Sequence, residues 1–594
     1  MRAADLVLFG PAIAFAVAAA IGLAWAAADD HAWGPIARGR EVVGSSACAR
    51  CHPEAHASWH RTYHRTMTQS ADGDAPLAPF AGERLDYLGF RATMDRAADG
   101  RPRIRIDRED DPAAILDATV VMTVGSHRYQ QYLARIDRGG GDEEVWRLPV
   151  AWHIGEARWI HLNAAFLEPE GAAGDEGDYL RHLSRWNDNC IFCHNTEPRP
   201  GLGEDGRFRS SVGELGIACE ACHGPGEAHL DRHGDPLRRL LAAVDLDDRD
   251  ADGSITDPLR VDAARSSEIC GRCHGNRIAR DLAAVLRRGD GFLPGEALAE
   301  VSRPIFRDST VGDADHPFVE RFWPDGTPRL SAYEYQGLLL SPCVAGGLGC
   351  NDCHTMHGGD PSMQVRDDRQ GSAACRGCHD EAAIPAAHGG HAPAIGCLEC
   401  HMPRTTYGLV EGMISHRITS PDPGALVGRG DQPDACTQCH VDRSRTWAAA
   451  SMAGLGLRGS PAGAPAEEEA WGSRVLLDLH GGDPIQRILA IHALGRPGAS
   501  MTADERRRWI VDALEDEYPA VRFAALRTLR ALTPDDPRLQ ADLRGHDFLG
   551  EADQRVADVD ALRARLGPGP LDDRPAIREW LASHRDASLL WIGE

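Results

Sequence analysis

The chain has 594 residues and a formal charge of −25, from 89 acidic residues against 64 basic ones, and every basic residue is arginine. This acidity argues against nucleic acid as a partner, because binding to phosphates requires clusters of basic side chains. It is compatible with a cationic partner protein, and equally with a role in solubility alone.

The first 28 residues have the features of an export signal. Arg2 precedes an apolar run over residues 6–24, and three alanines ending at Ala28 precede two aspartates. We predict cleavage after Ala28, which makes residues 1–28 a signal peptide. The alternative is an uncleaved N-terminal anchor, because the apolar run is just long enough to cross a bilayer.

Eight copies of the sequence Cys-x-x-Cys-His follow, and they contain sixteen of the seventeen cysteines. Two thiols at this spacing add to the vinyl groups of a haem, and the adjacent histidine reaches the iron as its proximal ligand. The repetition favours eight covalently attached c-type haems over zinc, thioredoxin-like or disulfide sites. In chain order, motifs one to eight are Cys48, Cys51 and His52; Cys190, Cys193 and His194; Cys219, Cys222 and His223; Cys270, Cys273 and His274; Cys350, Cys353 and His354; Cys375, Cys378 and His379; Cys397, Cys400 and His401; and Cys436, Cys439 and His440.

These motifs define a predicted haem domain over residues 29–458, mainly α-helical with few regular elements. Between motifs one and two, residues of about 82–167 contain no cysteine. Alternating polar and apolar residues at 103–106 predict a small β-rich insertion there. The other seven motifs lie between Trp186 and Trp447, in short helices and Gly/Pro loops where haems replace much of the apolar core.

A linker at residues 459–466 leads to a predicted helical domain at residues 467–594. Residues 484–490 and 519–525 have similar sequences offset by 35 positions, and residues 575–578 repeat the pattern in part. This period predicts HEAT-like helical hairpins, although an ordinary helical cap over the haem domain fits the same pattern. We expect a partner-docking module whose removal leaves all eight haems attached.

Nineteen of the 27 histidines lie outside the motifs, and a low-spin haem with two histidine ligands needs one of them. Five stand in phrases that hold them close to a motif and are predicted distal ligands: His64, His229, His357, His391 and His416. A second group of candidates comprises His127, His153, His161 and His388. Four in the helical domain are not expected to bind iron: His480, His492, His546 and His584.

Other possible ligands are less suited to the iron. Met402 follows His401 directly and lies on the wrong side of the ring, so we expect it to shape the turn. Met67 is a better methionine candidate, but packing beside a haem explains it as well. Cys343 cannot complete a ninth motif, and a buried thiol is favoured over an iron ligand. The absence of lysine from the chain excludes lysine ligation.

Phrases around five motifs, at residues 186–190, 219–226, 270–274, 397–403 and 434–440, resemble large bacterial multihaem cytochromes that join a haem domain to helical repeats. The resemblance covers about residues 44–450. The chain departs from those proteins in having HEAT-like rather than clear tetratricopeptide repeats. A weaker likeness connects residues 397–403 and 415–421 with the C-terminal haems of ammonia-forming nitrite reductases and octahaem hydroxylamine oxidoreductases.

Two functions from different classes fit these features. In the first, the haems carry electrons in the periplasm or cell envelope, between a quinol-linked donor and a terminal reductase or surface acceptor. In the second, one haem is five-coordinate and acts on nitrite, hydroxylamine or a sulfur oxyanion. Motif four is the expected open site, because no histidine lies between His274 and His316. Arg272, Arg277, Tyr333 and Tyr335 are nearby candidates for proton donation and positive charge, or for ordinary pairing with haem propionates.

The exported protein should carry eight covalent haems and begin near Asp29. Intact-mass measurement after expression in a host with a haem-attachment system tests both expectations. A mass excess of seven or fewer haems under full maturation contradicts the octahaem prediction. Retention of residues 1–28 would identify the segment as an anchor.

Overall fold

The computed structural model describes residues 41–586, except residues 112, 138–142, 238–252, 313–316, 331–332, 381–383, 385–387, 393, 409–410, 429–431 and 464–471. The predicted signal at residues 1–28 and part of the predicted linker lie outside this description. None of the described helices is long and apolar enough to span a lipid bilayer.

The haem region has little regular structure, as predicted. Its helices are α1 Ser45–Cys48, α2 Pro53–Trp59, α3 Glu176–Tyr179, α4 Ile191–His194, α5 Cys219–His223, α6 Glu227–His233, α7 Ala263–Gly271, α8 Leu282–Arg288, α9 Glu334–Leu339, α10 Ala373–Arg376, α11 Cys397–His401, α12 Pro423–Leu426 and α13 Arg445–Gly454. Two-stranded antiparallel sheets pair Asn195–Thr196 with Glu214–Leu215, Arg277–Ala279 with Ser302–Pro304, and Arg404–Gly408 with Glu411–Ile414. Most of these helices are too short to form without support from tertiary contacts.

The β-rich insertion forms a nine-stranded antiparallel sheet within the described residues. Its strands are β1 Thr68–Ser70, β2 Glu83–Tyr87, β3 Phe90–Arg96, β4 Pro102–Arg108, β5 Ala114–Val124, β6 Tyr129–Asp137, β7 Glu143–His153, β8 Arg158–His161 and β9 Ser184–Arg185. Strands β2 to β8 are neighbours in chain order, while β1 pairs with β5 and β9 pairs with β7. The prediction of a β-rich region is therefore confirmed, but the sheet extends beyond residues 82–167.

Alternation along β4 explains which side of the sheet forms the core. Ile104 and Ile106 are fully buried, whereas Arg103 and Arg105 are partly exposed on the opposite face. Successive side chains of a strand point to opposite faces, so this sequence can bury only one of them.

The helical region follows the motifs and contains helices of about two to four turns. These helices are α14 Arg474–Gly481, α15 Pro484–Gly495, α16 Ala503–Ile510, α17 Pro519–Ala531, α18 Pro537–Gly545, α19 Ala552–Leu566 and α20 Pro575–His584. Both α15 and α17 begin with proline, which suits the first helical position because its missing N–H has no helical partner.

The 35-residue period places two buried arginines at equivalent positions of α15 and α17. Arg487 and Arg522 are both fully buried. Arg487 pairs with Asp516 at 2.9 Å, and Arg522 pairs with Glu170 at 2.7 Å. The two helices are thus equivalent in sequence and in their buried charge, while the HEAT-like architecture stays a prediction.

The helical region and the β-sheet share one apolar core. Buried residues of both belong to the same continuous cluster, which includes Trp159 of β8 and Leu526 of α17. The His153 ring meets the edge of Phe523 with centres 5.4 Å apart, and Arg158 lies 5.0 Å from the centre of the Phe548 ring. Removing the helical region would expose the core of the sheet to water, which is unfavourable for a separable helical module. Retention of all eight haems without this region stays a prediction.

The helical region also contacts the last two haem motifs. The amide of Ser500 donates to the carbonyl oxygen of Cys439 at 3.0 Å. His492 Nε2 accepts from the amide of Gly412 at 2.8 Å, and Arg496 pairs with Glu399 inside motif seven. The region therefore supports motifs seven and eight directly.

Glu170 links the sheet side of the molecule to the helical region, and its replacement tests the shared core. Its carboxylate accepts from Arg522 and Arg555, each at 2.7 Å. Glu170→Gln leaves the buried Arg522 guanidinium without an anionic partner, and we expect a loss of about 3–5 kcal/mol in the free energy of unfolding. Chemical denaturation measures this loss.

The matched control is Asp99→Asn, which removes an exposed pair with Arg101 on the same sheet. The control should change stability little, since exposed ion pairs are weak. Equal stability of the two variants would show that the sheet and helices do not depend on each other.

Candidate haem-binding sites

Each motif forms a single helical turn that places its three ligating side chains together. In motifs one, two, four, five, six and eight, the histidine amide donates to the carbonyl of the first cysteine at 2.8–3.2 Å. Motifs three and seven lie within the short helices α5 and α11. Residues three and four positions apart lie on the same side of a helical turn, so both thiols and the histidine face one space.

The thiols themselves are available for attachment. None of the seventeen cysteines, all of which lie among the described residues, forms a disulfide that would compete for the sixteen thiols of the motifs. The remaining cysteine, Cys343, is a partly buried thiol, whereas the sequence favoured a buried one. Within the described residues, no cluster of three or more histidine, cysteine or acidic side chains has the arrangement of a metal-ion site.

Six motif histidines face a second histidine across a gap of constant size in the described chain. The pairs, with the distances between ring centres, are His52 with His229 at 6.2 Å, His223 with His357 at 6.1 Å, His274 with His64 at 6.1 Å, His354 with His416 at 6.3 Å, His401 with His388 at 6.1 Å, and His440 with His391 at 5.9 Å.

The size of this gap fits one metal atom. Imidazole nitrogen lies about 2 Å from a bound metal and the ring centre about 1 Å further, so two rings on opposite sides of one iron are roughly 6 Å apart. Stacked rings in direct contact are closer in the same molecule, although neighbouring rings at the end of α2, His56 and His60, are 5.8 Å apart. Trp580 and His584 stack at 4.1 Å, and Tyr63 and His127 stack at 4.2 Å. The donor set and its spacing therefore fit haem iron held between two imidazoles.

All five histidines predicted as distal ligands belong to these pairs, but each faces a motif other than the one beside it in sequence. His64 follows motif one and faces motif four; His229 follows motif three and faces motif one. His357 follows motif five and faces motif three. The sequence identified the residues, whereas only the fold shows which motif each one meets.

In the second group of candidate distal ligands, His388 differs from His153 and His161. His388 faces His401, as a distal ligand would. His161 is fully buried, its Nδ1 accepts from the Asn163 amide at 3.2 Å, and its Nε2 lies 3.0 Å from the carbonyl of Tyr179. His153 accepts from the amide of Glu156 at 3.2 Å and packs on Phe523. His153 and His161 therefore have structural roles in the sheet.

Histidines of the helical region have contacts outside the motifs, and their not binding iron stays a prediction. His546 lies 3.2 Å from Asp558, and His584 stacks on Trp580. Burial lowers the pKa of His480 to about 4. Met67 contributes backbone contacts, since its carbonyl accepts from the amide of Gly125 at 2.8 Å.

In several motif histidines, Nδ1 is within hydrogen-bond distance of a backbone carbonyl. Nδ1 of His223 lies 2.8 Å from the carbonyl of Thr256, and Nδ1 of His401 lies 2.9 Å from that of Thr419. His354 makes the same kind of contact at 3.2 Å. A hydrogen bond to Nδ1 fixes the tautomer and leaves Nε2 to bind metal.

His274 of motif four has a different neighbour. Its Nδ1 lies 3.6 Å from a carboxylate oxygen of Glu334, and this interaction raises the pKa of His274 to about 9. Burial, followed by the charge of His274, lowers the pKa of His64 to about 4, so the His64 ring is neutral at pH 7. Neutral imidazole is the form that binds a metal.

The groups expected to serve an open iron at motif four are engaged elsewhere. Arg272 and Arg277 both pair with Asp290, at 2.9 and 2.8 Å. Burial alone would raise the pKa of Asp290, but the two arginines hold it at about 2. Together with the His64 ring opposite His274, this arrangement differs from the expectation of an open site at this motif.

The tyrosines near motif four also have structural contacts. Tyr333 accepts from Asn276 at 2.7 Å and from Arg321 at 3.1 Å. Tyr335 is buried, and its ring leaves no room for a side chain at Gly271. Neither contact directs a hydroxyl toward His274.

Cysteines of different motifs lie close enough for their thiols to interact electrostatically. The interacting pairs are Cys48 and Cys219, Cys193 and Cys273, Cys222 and Cys273, Cys270 and Cys350, Cys353 and Cys378, Cys375 and Cys397, and Cys400 and Cys439. Motif four interacts in this way with motifs two, three and five, which makes it a junction.

Comparison with known proteins supports the haem assignment. The family described as the doubled CXXCH motif matches residues 342–384, which include motifs five and six. No curated protein matches the chain in sequence.

Two solved structures are similar to the chain at low sequence identity. The outer cell wall cytochrome OcwA is 16% identical, with 87% of this chain and 99% of that chain covered and a TM-score of 0.46. The octaheme sulfite reductase MccA of Wolinella succinogenes is 12% identical, with 88% of this chain and 85% of that chain covered and a TM-score of 0.28. The motif match and the repeated Cys-x-x-Cys-His sequence identify the chain as a multihaem c-type cytochrome.

Proposed function

We propose that this chain binds eight covalent haems and carries electrons along them in the cell envelope. The observation that supports this most strongly is the set of six histidine pairs, because a haem with imidazole on both faces has no position left for a substrate. Each haem iron supplies one-electron chemistry when bound. The protein contributes the two ligands, the burial and the nearby charges that set each potential.

The continuous series of motif contacts also favours electron transfer. Every motif has a cysteine close enough to a cysteine of another motif to interact with it electrostatically, so neighbouring haems would lie near one another along the series. The proposed partners are a quinol-linked donor and a terminal reductase or surface acceptor. Export by the predicted signal at residues 1–28 belongs to the same proposal.

One observation favours the second function, an oxidoreductase with one open iron. His379 of motif six is exposed, and among the described residues no histidine ring faces it. If an iron is open to nitrite, hydroxylamine or a sulfur oxyanion, motif six is a better candidate than motif four.

The proposed ligation predicts a defined response to the loss of one distal histidine. The oxidised protein should be dominated by low-spin signals, and His64→Ala should convert one haem to a high-spin form that binds cyanide. His60→Ala is the matched control, because His60 is exposed four residues earlier and faces no motif histidine in the described structure. Electron paramagnetic resonance and optical spectroscopy measure both variants.

Two outcomes contradict the proposal. A native high-spin signal that shifts with nitrite, hydroxylamine or sulfite, together with turnover of that compound, would favour the enzyme. An unchanged spectrum of His64→Ala would show that His64 does not bind the iron of motif four.

A further inference from the structure

Motif four differs from other motifs in the group behind its proximal histidine. Three motif histidines direct Nδ1 toward a neutral backbone carbonyl, at Thr256, Thr419 and Met363. His274 instead has a carboxylate oxygen of Glu334 3.6 Å from its Nδ1. The Glu334 side chain is only 21% exposed, so solvent screens its charge weakly.

An anionic neighbour changes the iron through its ligand. At 3.6 Å the carboxylate oxygen lies beyond hydrogen-bond distance of Nδ1, so Glu334 acts on the ligand through its charge. A nearby negative charge favours the oxidised iron, which carries one more positive charge than the reduced form.

The arginines of this motif do not cancel the effect of Glu334. Arg272 and Arg277 share Asp290, to which they bind at 2.9 and 2.8 Å. Their positive charges are therefore directed to a different carboxylate, whereas Glu334 lies beside the ligand itself.

Because of the position of motif four, a lower reduction potential of its haem would affect electron flow. Its thiols lie close enough to those of motifs two, three and five to interact electrostatically, so it stands between motifs one to three and motifs five to eight. A haem of low potential at this junction is harder to reduce than its neighbours, and electrons crossing between the two groups must pass it.

We propose that Glu334 is a positioning residue that lowers the reduction potential of the haem at motif four, and so makes this haem the energetic step between the two groups. The inference rests on the proposed pairing of His274 with His64. It adds Glu334 as a residue that acts on this haem, and it adds the direction in which the reduction potential changes.

The same haem has a spectroscopic signature that distinguishes it. The ring planes of His64 and His274 are 88° apart, whereas the other five described pairs have angles of 24–44°. Perpendicular imidazole planes give a low-spin resonance with a larger maximal g value than planes closer to parallel. The signal can be assigned by its loss in His64→Ala.

The experiment is a redox titration of the full-length holoprotein, followed by electron paramagnetic resonance at this signal. In the native protein, the signal should disappear at a lower potential than the other low-spin signals. Glu334→Gln keeps the size of the side chain and removes its charge. We expect it to favour reduction of this haem about tenfold, which is about 59 mV for one electron.

Glu268→Gln is the matched control. Glu268 lies on α7, which leads into motif four, and its carboxylate pairs with Arg265 at 2.7 Å instead of contacting a motif histidine. Glu268→Gln should leave the midpoint of the motif-four signal unchanged, and Glu334→Gln should leave the midpoints of the other low-spin signals unchanged. Glu334→Asp should restore part of the native midpoint of the motif-four signal.

The outcomes separate this inference from the proposed function. If Glu334→Gln leaves the assigned midpoint unchanged, or if Glu268→Gln shifts it equally, Glu334 does not act through His274. If the native protein has no low-spin signal with a large maximal g value, or if that signal survives in His64→Ala, the proposed ligation of motif four by His64 is wrong.

Discussion

The pairing of distant histidines across a gap of one metal atom is the constraint on which the haem region depends. All the described pairs except His388 with His401 join segments that are far apart in sequence, as His64 and His274 do. Between the motifs the chain has short helices and small apolar clusters, such as Ile269 with Phe292, Leu298 and Tyr335. An iron held by both partners ties two segments together, so metal ligation contributes to folding where apolar burial is limited.

The rest of the molecule is held together in a different way. The sheet and the helical region bury a common apolar core, and arginines at its edge pair with carboxylates such as Glu170 and Asp516. Contacts from Arg496 and Ser500 then fix motifs seven and eight to this core. The ordinary core thus supports one end of the motif series, and the proposed iron ligation would organise the remainder.

The sequence predicted the local features well, because each depends on neighbouring residues. Five residues define a haem motif, and alternation at Ile104 and Ile106 defines a strand. The sequence failed where the decisive contact is distant. No local pattern shows that His64 meets motif four, that His161 bonds to Asn163 and the Tyr179 carbonyl, or that the helices cover the sheet. Such contacts depend on the whole chain path.

Locating the iron atoms by anomalous scattering in crystals of the mature holoprotein tests the central claim most directly. The account predicts eight irons, six of them between the histidine pairs described above, including one between His64 and His274. An iron at any of these six motifs that is capped by another residue, or left open toward a polar cavity, would contradict it.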